Sequence, residues 1–184
     1  IGLLMPIDII NEVLKYKTSM NNIEGFIRQL FWREYQHYCY IYLDFKGNYF
    51  NGNKKLSKKW YDGNTGILPI DNAIKNGFDT AYLHHIERLM VVGNYMNLTG
   101  IHPREGFKWF MEFSIDSYEW VMHQNVYEMV FFITGGKTMR RPYISSSNYI
   151  IKQSNYKKGL WSEKWDILYK EFLKKNKKQL YKFR

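Results

Sequence analysis

The first residues that could do chemistry lie in the stretch 26–34, Phe-Ile-Arg-Gln-Leu-Phe-Trp-Arg-Glu. Apolar residues recur every three or four positions through 24–42, which predicts a helix. Gln29, Trp32 and Arg33 then fall within one turn and present an amide, a flat ring and a guanidinium together. Such a face suits a ligand that has both rings and phosphates, because arginine binds phosphate bidentately. A buried tryptophan beside a surface Arg-Glu pair is the alternative, since core aromatic residues are common.

Two adjacent histidines, His84 and His85, precede Arg88 in a second predicted helix, residues 79–98. Neighbouring residues on a helix point about 100° apart, so the two histidines form a poor metal pair. His85 and Arg88 are three residues apart and therefore share one surface. For a single histidine, an ordinary core or surface position remains the alternative.

An acidic residue, Asp116, stands beyond the next predicted helix, shortly before Tyr118 and Asn125. Aspartate in such a position is usually an N-cap or a solvated helix end. It would instead help to hold a charged planar cofactor if Arg88 faced it, because a buried Arg-Asp pair presents fixed, complementary charge. A site of this kind therefore requires Arg88 and Asp116 to lie side by side.

The last group combines Gly135-Gly136-Lys137 with Arg140-Arg141-Pro142-Tyr143. Glycine pairs let a backbone approach phosphate, and basic residues beside an aromatic ring suit DNA. Many surface loops have a similar composition, so this group is informative only together with the others. The chain has no P-loop, no dinucleotide-binding glycine fingerprint and no Ser-His-Asp order.

Composition limits the class of protein. The 184 residues include 27 Lys and Arg against 17 Asp and Glu, a net charge of +10, which favours nucleic acid or an anionic membrane surface as partner. Cys39 is the one cysteine, so we expect no intrachain disulfide and no metal site.

The sequence has no apolar run long enough to span a bilayer and no signal peptide, which predicts an intracellular protein, cytoplasmic or nucleoid-associated. It starts without Met, which suggests that the true chain continues upstream.

The elements that must position these groups are all predicted to be helical. No useful period-two alternation occurs, so no sheet is expected. Residues 44–69 are predicted to form a long loop with one helical turn, and 118–142 one more turn and a loop. Further helices are predicted from Pro6, over 71–76, from Pro103, over 148–153 and over 163–178.

In this order and spacing, the segments resemble the C-terminal region of the photolyase and cryptochrome family, most closely its iron–sulfur bacterial cryptochrome and (6-4) photolyase branch. The resemblance implies an all-α FAD-binding domain, incomplete on its N-terminal side, over residues 1–160, and a lysine-rich helix and tail over 161–184. The matching stretches are Gly2-Leu3-Leu4-Met5-Pro6, 24–29, 32–35, 60–66, 82–90, Gly93-Asn94, 116–121, 124–126, Gly135-Gly136 and Arg141-Pro142-Tyr143.

The resemblance also implies a function, the light-driven, FAD-dependent repair of damaged double-stranded DNA by a photolyase-type lyase. The cofactor carries the chemistry and the lesion is flipped out of the duplex. His84, His85 and Tyr143 match positions of the lesion cavity, where histidine would assist proton transfer. Trp109 matches a member of the electron-transfer chain. The residues expected to contact or flank FAD are Gln29, Arg33, Arg88, Asp116, Tyr118 and Asn125.

The sequence departs from the family at several places. The cluster cysteines of the branch are replaced around residues 156–160 and 173 and near Pro69, so no iron–sulfur cluster is expected. Met122 stands where the branch has an acidic residue. Phe110, beside Trp109, replaces a more oxidisable ring, which would slow photoreduction.

The largest departure is the missing antenna domain and first FAD-wrapping helices of the family. The antenna chromophore is therefore not specified, and we expect the flavin site to need an N-terminal half or a companion polypeptide. Two alternatives to repair remain open: a non-catalytic DNA-binding remnant and a cryptochrome-like photosensor.

Overall fold

The computed structural model describes residues 3–183. They form two compact units, one ending at Leu43 and the other beginning at Asp44. Both units are helical, and the described residues contain no strand beyond an isolated bridge between Lys54 and Ile101. The predicted all-α fold is confirmed, while the boundary between 1–160 and 161–184 stays a prediction.

The first unit consists of two helices, α1 (Pro6–Val13) and α2 (Met20–Tyr42). α1 begins at a proline, as predicted, because a missing amide costs little in the first helical turn. α2 begins four residues before the predicted start because Ser19 caps it: its hydroxyl accepts a hydrogen bond from the Asn22 backbone N–H at 3.3 Å.

The second unit contains the remaining helices, two π-helical segments and a short 3-10 turn. The α-helices are α3 (Lys59–Asp62), α4 (Leu68–Thr80), α5 (Asn94–Thr99), α6 (Pro103–Phe113), α7 (Glu119–Met122), α8 (Ser147–Lys152), α9 (Leu160–Lys175) and α10 (Lys177–Leu180). The π segments are Glu87–Gly93 and His123–Val130, and the 3-10 turn is Tyr181–Phe183. π-helical turns are rare and occur frequently at functional sites.

Aromatic and aliphatic side chains fill the core of the second unit, to which α6 contributes the fully buried Trp109 and Phe110. The ring of His102 caps this helix by accepting a hydrogen bond from the Arg104 backbone N–H at 3.1 Å. Gly106 lets α6 approach its neighbour, because a Cβ at that position would lie 2.4 Å from the Phe131 ring. The core thus fixes the end of α6 that leads to Asp116.

The predicted helices over 71–76 and 79–98 are wrong in extent. α4 runs on to Thr80, and the chain then reverses through Ala81, which has a left-handed conformation with φ of 56°. The Thr80 hydroxyl donates to the Asn76 carbonyl at 2.7 Å at the end of α4. Helix resumes only at His85, immediately before the first π segment.

The prediction of a single helical turn within 118–142 is also wrong. α7 and the second π segment form a continuous helical stretch as far as Val130. Gln124, Asn125 and Glu128 are buried in it, and these polar residues interrupt the apolar period from which the helix would have been recognised.

Candidate functional site

Arg88 and Asp116 lie side by side, as the sequence analysis required. Arg88 Nη2 is 2.9 Å and 3.2 Å from the two carboxylate oxygens of Asp116. The same nitrogen lies 3.3 Å from the Leu83 carbonyl oxygen and 3.3 Å from Ser114 Oγ. Ser114 in turn donates to Asp116 Oδ1 at 2.5 Å. The break in the helix before His85 brings the Leu83 carbonyl to the guanidinium, and Ser114 ends α6 beside it.

The electrostatics of this pair favour its charged form. Burial raises the pKa of Asp116, but the hydrogen bond from Ser114 and the charge and hydrogen bond of Arg88 outweigh burial, so the pKa lies below its usual value. Asp116 is therefore ionised at neutral pH. Arginine keeps its proton in proteins, so the pair carries one charge of each sign.

Arg88 retains donors that the described protein does not use. The residue is only 5% exposed, yet within residues 3–183 its Nε has no hydrogen-bond partner. Its Nη1 lies 3.8 Å from Met122 Sδ, a weak acceptor. A buried guanidinium with an unmade hydrogen bond costs free energy, and a polar ligand at this place would remove that cost.

Tyr118 and Asn125 lie on the segment that follows Asp116. The Tyr118 backbone N–H donates to the Asp116 carbonyl at 3.0 Å, and Tyr118 stands at the N-cap of α7 with its side chain partly exposed. Asn125 is buried in the second π segment, where its amide donates to the Val121 carbonyl at 3.1 Å. The assignment of Tyr118 and Asn125 to the flavin site stays a prediction.

Gln29 and Arg33 belong to the first unit, one turn apart on α2. Arg33 forms an ion pair with Glu34, and Trp32 stacks on Tyr35 with ring centroids 5.5 Å apart. Trp32 is 38% exposed, so it is not the buried tryptophan of the alternative. The assignment of Gln29 and Arg33 to the flavin site stays a prediction.

A cavity of about 690 Å³ adjoins the helix that carries Arg88. His85, Leu89 and Met90 from that helix line it, together with Tyr143 and Arg141. Its volume lies in the range of small-molecule and cofactor sites. Of the two adjacent histidines, His85 lines the cavity, whereas His84 is not among its described lining residues. His84 instead accepts a hydrogen bond from the Ile86 backbone N–H at 3.3 Å.

His85 is held neutral at this place. It lies in the concave wall of the cavity, where burial by neighbouring atoms lowers its pKa, and the charge of Arg88 and the neighbouring His84 lower it further. Arg88 lies in sequence between His85 and Leu89, both of which line the cavity.

Trp109 lies away from the cavity, in an aromatic cluster of the core. Its indole N–H donates to the Trp60 carbonyl at 2.9 Å, and the two indole centroids are 6.1 Å apart. Trp60 continues to Tyr95 at 5.6 Å and Tyr95 to Trp165 at 5.6 Å. Sequence reasoning identified Trp109 but gave Trp60 no such role, because aromatic series of this kind depend on tertiary packing.

Sequence reasoning also missed Ser114, Glu128 and the C-terminal lining of the cavity. Glu128 is fully buried and accepts hydrogen bonds from the Thr134 N–H at 3.1 Å, the Thr134 hydroxyl at 2.9 Å and the Thr138 hydroxyl at 2.7 Å. A glutamate seven residues before a Gly-Gly pair gives no recognisable signal in one sequence.

Residues 3–183 contain no group of three or more His, Cys, Asp and Glu side chains that could hold a metal ion. No helix in that range is both long and apolar enough to cross a membrane.

Comparisons with known proteins agree with this geometry. Residues 26–165 match the family model described as the FAD binding domain of DNA photolyase. A (6-4) photolyase from Agrobacterium fabrum is 36% identical over 177 residues, which cover 88% of this chain and 34% of that protein. The uncharacterized protein R855 of Acanthamoeba polyphaga mimivirus is 53% identical over 88 residues, 47% of this chain and 72% of that protein.

A more distant relative points the same way. The mitochondrial deoxyribodipyrimidine photo-lyase of Saccharomyces cerevisiae is 27% identical over 119 residues, 59% of this chain and 20% of that protein. The chain therefore spans about a third or less of the length of the two photolyases that it matches. On the family match and the (6-4) photolyase identity together, the chain belongs to the photolyase/cryptochrome family and corresponds to its helical FAD-binding part.

Proposed function

We propose that this chain holds FAD against the Arg88–Asp116 pair and takes part in light-driven repair of damaged DNA. The observation that carries the proposal is the buried Arg88 guanidinium, fixed by Asp116 and Ser114 yet left with an unpartnered Nε. A planar cofactor rich in carbonyl and ring-nitrogen acceptors fits those donors. When bound, FAD would supply the light absorption and the electron donation that repair requires.

Arg88 and Asp116 would position and polarise the cofactor. Their charges are set before any ligand binds, so no reorganisation is needed when charge develops beside them. Arg88 would donate through Nε and Nη1, and Asp116 would hold the guanidinium in place from its other side. Tyr118 and Asn125 would flank the cofactor from the segment that begins at Asp116.

His85 and Tyr143 would line the place where the flipped lesion enters. Because the pKa of His85 is lowered, the ring is neutral at pH 7 and has one nitrogen protonated and one free to accept a proton. Such a ring can pass a proton to or from a base held in the cavity. We propose proton transfer to the base for His84 as well, because it is adjacent to His85. His84 is not among the described residues that line the cavity.

Trp109 would relay electrons toward the cofactor. It is fully buried and its indole lies against that of Trp60, so an electron could pass between two readily oxidised rings. Phe110, whose centroid is 5.0 Å from that of Trp109, supplies no comparable station.

Gln29 and Arg33 are proposed as flavin contacts on their match to the family's motif, and a further polypeptide segment would also take part in flavin binding. The (6-4) photolyase relative extends far beyond the matched region, which is 34% of its length. α2 also exposes a set of large apolar side chains, an unusual surface for a soluble helix. Among them are Phe31, Tyr38, Ile41 and Tyr42. We propose that an N-terminal half or a companion polypeptide covers them.

Flavin absorbance tests the cofactor part of the proposal. The chain is purified after expression alone and after co-expression with the region that precedes the matched part in the A. fabrum (6-4) photolyase. We expect bound flavin in the co-expressed sample and less in the chain alone. Colourless protein in both samples contradicts the proposal.

Repair assays separate the proposed function from a DNA-binding remnant, which the net charge of +10 also favours. Flavin-loaded protein is illuminated with duplexes that carry a (6-4) photoproduct or a cyclobutane dimer, and dark samples serve as controls. Light-dependent loss of either lesion supports repair. Salt-sensitive DNA binding without any effect of light supports the remnant, and flavin photoreduction without repair supports a photosensor.

A further inference from the structure

The C-terminal end of the described chain forms one wall of the large cavity. Lys177, Leu180 and Phe183 line it, in the same cavity as His85 and Tyr143. Lys177 and Leu180 are the ends of α10, and Phe183 ends the 3-10 turn that follows. Three residues of the lysine-rich segment 177–183 thus contribute to the wall of the cavity, although the segment is largely exposed.

Specific contacts hold this segment in place. The Lys182 ammonium donates to the Gly135 carbonyl at 2.9 Å and lies 5.2 Å from the centroid of the Tyr49 ring. The Tyr49 hydroxyl donates to the Gln179 carbonyl at 3.0 Å. Phe183 packs edge-on against the core residue Phe132, with centroids 5.2 Å apart. Cation–π and charge-assisted hydrogen bonds of this kind fix a short segment that has little core of its own.

The loop that receives the segment is itself fixed. Gly135 has a φ of 70°, and a Cβ there would lie 2.5 Å from the Tyr49 ring, so glycine is required for this contact. The buried Glu128 binds Thr134 and Thr138 on either side of the glycines. The wall formed by 177–183 thus rests on a rigid support.

The chemistry of the cavity fits nucleotides. Its described lining residues include tyrosine and phenylalanine rings, the two cations Lys177 and Arg141, and no aspartate or glutamate. Aromatic and apolar surface receives bases, whereas lysine and arginine pair with the phosphates that flank them. A cavity that offers both aromatic rings and cations therefore suits a flipped dinucleotide, which presents bases and phosphates together.

We propose that segment 177–183 is the C-terminal wall of the lesion site, in which Lys177 pairs with a phosphate beside the flipped pyrimidines and Leu180 and Phe183 contact the bases. This inference rests on the proposed function, since it takes the cavity to receive damaged DNA. Because Lys177 lines the cavity, we expect it to contribute more to the binding of lesion-containing DNA than to the binding of undamaged DNA.

Two adjacent lysines allow a matched test. Lys177 and Lys178 are both exposed residues of α10, but Lys177 lines the cavity and Lys178 does not. Fluorescence anisotropy with the 184-residue chain measures affinity for a labelled duplex with one (6-4) photoproduct and for the undamaged duplex, over a series of salt concentrations. The variants are Lys177→Gln, Lys178→Gln and Phe183→Ala, and circular dichroism melts verify that each is folded.

We expect Lys177→Gln to weaken lesion binding about tenfold and to reduce the salt slope for that duplex by about 0.9, the loss of one phosphate contact. Lys178→Gln should keep the wild-type preference for the lesion. Phe183→Ala should weaken lesion binding by about tenfold without a change in salt slope, since it removes contact with a base and no charge.

The outcomes separate this inference from the proposed function. A wild-type chain that binds both duplexes equally contradicts the assignment of the cavity to lesions, and the inference fails with it. If wild type prefers the lesion duplex and Lys177→Gln and Phe183→Ala keep that preference, as Lys178→Gln should, the inference is overturned. The proposed function then still stands.

Discussion

Replacement of Asp116 by asparagine tests the pair on which the flavin site depends. The substitution keeps the shape of the side chain and removes its charge. Arg88, 5% exposed, would keep its contacts with the Leu83 carbonyl and Ser114 Oγ but lose its counter-charge. An arginine in this environment cannot respond by losing its proton.

The size of the effect follows from the burial of the two partners. Removal of one member of a fully buried ion pair costs roughly 3–5 kcal/mol. The Asp116 side chain keeps 46% of its surface exposed, so solvent screens part of that interaction. We therefore expect a loss of about 2 kcal/mol in the free energy of unfolding, which for a chain of this size lowers Tm by about 4–8 °C.

The pH dependence gives a second signature. The pKa of Asp116 is lower in the folded chain than in the unfolded one, so its stabilising effect is present above the unfolded pKa, near 3.9, and is lost as the pH falls through the folded pKa. The gap in stability between wild type and Asp116→Asn should therefore be full at pH 7 and should close below about pH 4.

Thermal and urea unfolding of the two proteins at several pH values measures this gap. Asp62→Asn is the matched control, because Asp62 pairs with Lys58 at 3.7 Å on the surface and its loss should cost about 0.5 kcal/mol or less. The reasoning is refuted if Asp116→Asn is no less stable than Asp62→Asn, or if its deficit is the same at pH 3 as at pH 7.

Three further predictions concern the surrounding residues. In flavin-loaded protein, Trp109→Phe should reduce the rate of photoreduction to background while Trp161→Phe retains it; equal rates in both contradict a relay through Trp109. Because the pKa of His85 is lowered in the folded chain, the unfolded chain binds a proton at this residue more readily, and the folded chain loses stability as the pH falls through about 6.5. In urea unfolding, His85→Asn should therefore lose less free energy of unfolding than wild type between pH 7 and pH 5. An identical loss in the two proteins contradicts this. Glu128→Gln should lower the free energy of unfolding by about 1–3 kcal/mol in urea, because it disturbs a buried acceptor of three hydrogen bonds. It should also speed hydrogen exchange at residues 134–138. Unchanged exchange there would show that the loop does not depend on Glu128.

The sequence predicted those helices whose signals are local. Pro6 and Pro103 mark the starts of α1 and α6, and the apolar period identified α2 and α9. It failed where tertiary contacts override the local pattern. Ala81 breaks a helix although its residue type favours one, and buried polar residues hide the helical stretch that ends at Val130.

The candidate site was predictable only in part. Arg88 and Asp116 are 28 residues apart, and the residue types alone allowed an N-cap or a solvated end as well as a pair. The role of Ser114 depends on where α6 ends, which periodicity fixes only to within a few residues. The wall formed by 177–183 could not be predicted, because a lysine-rich composition is typical of a solvated surface and its docking depends on Gly135 and Tyr49.

The affinity for FAD with and without Arg88 tests the central claim most directly. Flavin fluorescence titrations would compare wild type, Arg88→Gln and the exposed control Arg104→Gln, each co-expressed with the companion region of the relative and stripped of bound flavin. We expect Arg88→Gln to raise the Kd for FAD at least about tenfold, since it removes charge-assisted hydrogen bonds, and Arg104→Gln to leave it unchanged. Equal affinities in all three proteins would contradict the assignment of the flavin to the Arg88–Asp116 pair.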